Sequence, residues 1–138
     1  MQQPTPPNPN RDKETTDWLY TVLRELPTAI GGIEAEQAAM LNLKREAQAN
    51  LEDAELNATL NAPQDGKNAE ARKLEAQAAL LKDETVKKLR KEVMRYEAEI
   101  EMNEAEAKSK RREFQAAIAL AELHAARINA MYRAQKTN

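Results

Sequence analysis

The sequence predicts an all-α fold: an elongated helical hairpin or coiled coil with one very long C-terminal helix. Three observations carry this expectation. Alanine outnumbers valine, isoleucine, leucine, phenylalanine and tryptophan taken together, and aromatics are only 4% of the chain. A thick sandwich or α/β core needs bulky side chains packed to crystal-like density, and this chain lacks them. No Gly or Pro occurs from Lys67 to Asn138, so nothing there punctuates a helix. Apolar residues also recur at alternating spacings of 4 and 3, the heptad pattern of packed helices.

The elements follow in order. Residues 1–14 read as a disordered, Pro-rich arm, because Pro4, Pro6, Pro7 and Pro9 crowd a polar segment. Residues 15–133 read as a single helical domain with helices over about 15–27, 33–61 and 68–133, followed by a tail over 134–138. Thr15 or Thr16 can cap the first helix, and Asp17 then meets the positive end of its dipole. Trp18, Leu19, Val22, Leu23 and Leu26 form its apolar face. Pro27, Gly31 and Gly32 mark a break.

The second helix carries the seam Ile33, Gln37, Met40, Lys44, Ala47, Leu51, Ala54 and Ala58. Leu41, Leu43, Leu56 and Leu60 lie off it, which widens the apolar surface and suggests more than one neighbour. A turn at Pro63–Gly66 follows, and Asn68 caps the third helix. From Leu89 the third seam runs Val93, Tyr96, Ile100, Asn103, Ala107, Lys110, Phe114, Ala117, Ala121, His124, Ile128 and Met131. Upstream, Leu74, Ala78, Leu81, Thr85 and Leu89 continue it with one extra residue, a stutter that locally unwinds a supercoil.

A hairpin folded at Gln64–Asp65 sets Ile33 opposite about Tyr96 and Thr15 opposite about Phe114. Nothing in the chain then reaches the stretch from Phe114 to Met131, which is apolar on nearly every face. Exposed patches of that kind mark interfaces. Phe114, Ile118, Leu120, Leu123, Ile128 and Met131 are therefore the candidate self-association surface. The competing reading is that the first helix folds back differently and covers it. Asn103 and His124, polar residues on the seam, are read as markers of register and oligomer state.

Charge is segregated along the third helix. Lys87, Lys88, Arg90, Lys91 and Arg95 form one basic block. Lys108, Lys110, Arg111 and Arg112 form a second, and five glutamates lie between them. Antiparallel copies would align plus against minus. Contacts to phosphate by Lys87, Lys88, Arg90, Lys91, Lys108, Lys110, Arg111 and Arg112 are the alternative. The net charge of −2 gives no whole-molecule attraction to nucleic acid.

Enzyme chemistry finds no foothold. There is no Cys for a thiolate site or a nucleophile, and the one His has no second His to share a metal. Gly66-Lys67 lacks the earlier Gly and the following Ser or Thr of a phosphate-binding loop. The carboxylates lie on solvated helix faces, with no apolar pocket to raise a pKa. No catalytic residue, cofactor or metal is expected. The N-terminus has no apolar signal segment and no window is apolar enough to span a bilayer, so the expected compartment is the cytoplasm.

The run Gly66-Lys67-Asn68-Ala69-Glu70-Ala71-Arg72-Lys73, an Ala/Leu stretch, Lys82-Asp83-Glu84 and a long charged helix resemble a group of small coiled-coil proteins of tailed bacteriophages and prophages. These are often found near recombination and replication genes. The resemblance covers about Asp65 to Arg133. It implies a phage accessory protein, in the host cytoplasm, with no assigned catalytic residue.

Two functions remain as expectations. One is an oligomeric coiled-coil adaptor, a dimer, that contacts itself and another protein. The other is a DNA-handling accessory of the recombination or nuclease-inhibitor type. A virion scaffold is a weaker third.

Overall fold

The computed structural model describes residues 12–137. Those residues form three α-helices, α1 (Asp12–Leu60), α2 (Ala69–Lys82) and α3 (Glu84–Thr137), with no strand among them. The fold is all-α. Most of the expected arm, residues 1–11, lies outside the described residues. Residues 12–14 are the first turn of α1, and the expected tail is helical through Thr137.

The expected break between a first and a second helix does not occur. α1 runs without interruption through Pro27, Gly31 and Gly32. An interior proline costs about 3 kcal/mol and a glycine about 1. Against this, Leu19, Leu23, Leu26, Ile30 and Ile33 continue the 4–3 seam upstream without a slip. Leu19, Leu26 and Ile33 are buried, and full burial of such side chains is worth about 1.5–3 kcal/mol each. Pro27 and both glycines fall on the exposed side, so the helix loses a backbone bond to the Leu23 carbonyl and little packing. Thr15 and Thr16 consequently lie inside α1 and do not cap it.

The expected third helix is broken once, at Asp83. This residue ends α2, its N–H donating to the Ala79 carbonyl at 3.1 Å. Its carboxylate Oδ1 accepts from the Val86 N–H at 2.9 Å and so caps α3. One aspartate closes one helix and opens the next. The stutter at Leu81–Leu89 falls at this place, and the chain resolves it by breaking the helix. Leu74 and Leu81, the upstream part of the expected seam, are 62% and 66% exposed, and α2 buries no residue.

The chain divides into two compact units. One joins the stretch through Ala35 to the stretch from Ala105, and the other is Glu36–Glu104. In the second unit Lys44 pairs with Glu97 at 3.5 Å and Arg90 with Glu55 at 3.1 Å. Ala47, Ala58, Val86 and Val93 are its buried residues. The turn into α2 depends on Gly66. A Cβ there would stand 2.8 Å from the Arg72 backbone nitrogen, too close for any other residue. Asn68 Oδ1 then accepts from the Ala71 N–H at 2.8 Å, the cap that the sequence indicates.

In the first unit the N-terminal half of α1 lies antiparallel to the C-terminal half of α3. Arg111 donates to Glu34 at 2.6 Å, and Arg127 pairs with Asp12. The register therefore differs from a hairpin folded at Gln64–Asp65. Glu34 meets Arg111, not a residue near Arg95. The cause is α2, which takes up the residues after the turn, so that α3 begins its return later in the sequence.

Candidate interaction surfaces

The seam of α3 can be followed residue by residue. Val93, Ala107 and Ala117 are buried, and Leu89, Tyr96, Ile100, Asn103, Lys110, Phe114, Ala121 and His124 are half-buried. Ile128 and Met131 are 41% and 49% exposed. On α1, every seam member from Ile33 to Ala58 is buried or half-buried.

The stretch from Phe114 to Met131 is not left without cover by the chain itself. The start of α1 lies along it, as the Thr16–His124 and Asp12–Arg127 contacts record. Phe114 is half-buried there. What remains open is the rest of the candidate surface. Ile118 is 39% exposed, Leu120 47% and Leu123 69%, and Tyr132 beyond them is 59% exposed.

His124 Nε2 lies 2.7 Å from the Thr16 hydroxyl. That hydroxyl donates to the Asp12 carbonyl at 2.8 Å. A hydroxyl has one proton, so while it is spent on the carbonyl His124 must donate from Nε2. The contact joins α1 to α3 across the seam and gives the histidine a positional task.

The basic blocks divide into paired and open members. Arg90 and Arg111 are held by Glu55 and Glu34 of α1. Lys87 pairs with Glu84 and Lys110 with Glu113, each one turn away on α3. The alignment of plus against minus expected between copies is thus made, for these arginines, inside one chain. Lys88, Lys91, Lys108 and Arg112 are exposed and carry no ion pair among the described residues. Arg95 packs over the Tyr96 ring at 5.0 Å, a cation–π contact that occupies the aromatic face beside the first block.

Among the described residues no group of three His, Asp or Glu side chains could hold a metal ion. No helix there is long and apolar enough to cross a membrane. Sequence reasoning missed the ion pairs between α1 and α3, because they depend on a register set by α2. No protein-family model matches the chain, and no curated protein or solved structure matches it.

Proposed function

We propose that the chain is a non-enzymatic, homo-oligomeric coiled-coil adaptor that acts through protein–protein contacts. One observation carries the reading. Leu120, Leu123 and Tyr132 stay 47–69% exposed on α3, off the seam that the same helix closes against α1 as far as His124. Exposed apolar side chains gathered along one helix are the mark of a further protein contact. The likeness of Gly66–Lys73 and the charged helix to phage coiled-coil proteins supports a phage or prophage origin and a place in the host cytoplasm.

A DNA-handling accessory is the second reading, favoured by the exposed Lys88, Lys91, Lys108 and Arg112. Two measurements decide between them. Analytical ultracentrifugation of the full chain should give the mass of a dimer. Fluorescence anisotropy with duplex DNA at 50 and 200 mM salt should give weak binding at both. Real phosphate contacts make log K fall by about 0.9 per contact for each tenfold rise in salt. A monomer that binds DNA with such a slope would overturn the adaptor reading in favour of the second.

A further inference from the structure

α2 and α3 are joined through a single residue. Asp83 has φ −70° and ψ 119°, so its φ is already helical and ψ alone keeps it out of the α region. Ordinary helical bonds reach it from both sides. Its N–H donates to the Ala79 carbonyl at 3.1 Å, and its carbonyl accepts from the Lys87 N–H at 3.1 Å. The break gives up the bonds between these two, from the Glu84, Thr85 and Val86 N–H groups to the Leu80, Leu81 and Lys82 carbonyls. Asp83 Oδ1 makes good the one at Val86. No Gly or Pro lies in α2 or α3, and a continuous helix carries a stutter as local unwinding. Nothing in the local sequence therefore bars Asp83 from a helical ψ.

The bent arrangement is weakly held. α2 buries no residue. Its inner side, Ala71, Glu75, Ala76, Ala79 and Leu80, is half-buried, with Leu80 its only large apolar side chain. Glu75 adds a cost. Its Oε2 is shut off from solvent and has no hydrogen-bond partner, and an unpaired buried carboxylate oxygen is unfavourable. On the other side of the balance stand the Asp83 cap and the full burial of Val86.

We infer that Asp83 is a hinge between two states, the bent one and one in which its ψ turns helical and α2 and α3 fuse into a single helix. Fusion restores the forgone backbone bonds and releases Glu75. It also brings Leu74, Ala78 and Leu81, all exposed in the bent state, into line with Leu89 and Val93. The hinge thus sets whether the α3 seam begins at Val86 or at Leu74. This holds whatever the oligomeric state, so it stands apart from the adaptor reading.

The absence of cysteine from the chain allows clean spin labelling. Lys73 and Lys91 are exposed, and in a continuous helix they would stand about 27 Å apart on one face. A bend at Asp83 shortens that distance. Double electron–electron resonance on the full chain carrying Lys73→Cys and Lys91→Cys, diluted with unlabelled chain, should show both distances. Adding Glu84→Pro should remove the longer one. Proline is accepted at the first position of α3 and holds Asp83 extended, but in a continuous helix it would clash with the Leu80 carbonyl. Adding Glu75→Ala, which takes the unpaired carboxylate out of the bent state, should shrink the share of the longer distance. Circular dichroism checks that each variant stays helical. A single distance in the labelled parent, long or short, overturns the hinge without recourse to a further variant. A longer distance that neither substitution diminishes does not come from a fused helix and overturns it as well.

Discussion

Gly31 and Gly32 sit inside α1 with open space where a Cβ would go, and neither has positive φ. Nothing in the helix uses their freedom, so they cost conformational entropy without return. Replacing each with alanine should stabilise the protein by about 0.5–1 kcal/mol, read as a rise in the thermal midpoint. A fall would mean that the helix bends there in solution. Asn103, half-buried on the α3 seam, is the opposite case. As a register marker it is expected to limit which partner and which register the seam accepts, at a cost in stability. Asn103→Leu should raise the melting temperature and broaden the distribution of oligomers in sedimentation velocity. A lower melting temperature with an unchanged distribution would contradict this role.

Among the elements, the helix ends show what the sequence makes legible. The seams from Ile33 to Ala58 and from Leu89 to His124 were readable because burial follows periodicity directly. Asn68 was readable because an asparagine after a Pro/Gly turn has few other tasks. Pro27 and the glycine pair misled, since punctuation by Gly and Pro acts only through local propensity, and a continuous seam from Leu19 to Ile33 outweighs it. The break at Asp83 has no Gly or Pro to announce it. Its only traces are the stutter and an aspartate followed by a glutamate. The stretch from Phe114 to Met131 was legible as an apolar run, but its partial cover by α1 depended on a register that no local pattern encodes. Two predictions belong here. Asp83→Ala removes the α3 cap and should cost about 1 kcal/mol, with increased hydrogen exchange at the Val86 amide as its local sign. Replacing Leu120 and Leu123 together with glutamate should give a monomer that remains helical, judged by sedimentation and circular dichroism. If that double variant keeps the parent's oligomeric mass, the contact lies elsewhere.

Few large side chains are fully buried among the described residues. Val86 is the largest fully buried side chain, and alanines make up much of what else is buried. No disulfide supplements so thin a core, and the ion pairs between α1 and α3 lie partly in solvent, where such pairs contribute about 0–1 kcal/mol each. The proposed self-association would add stability through mass action. The thermal midpoint should therefore rise as protein concentration is raised a hundredfold, by scanning calorimetry or circular dichroism. A midpoint that stays fixed would argue for a monomer whose stability is wholly internal.

The pairing of α1's start with α3's end also sets an order of events during synthesis. Glu55 and Arg90 are 35 residues apart, so the second unit can close soon after its residues are made. Thr16 and His124 are 108 apart, and translation at about 5–20 residues per second puts several seconds between them. Through that interval Leu19, Leu26 and Ile33 have no partner from their own chain. The C-terminal half of α3 from a neighbouring molecule is chemically identical to the one still to come. Two chains growing side by side can therefore exchange these segments, each α1 receiving the other's α3, by the same contacts that close a single chain.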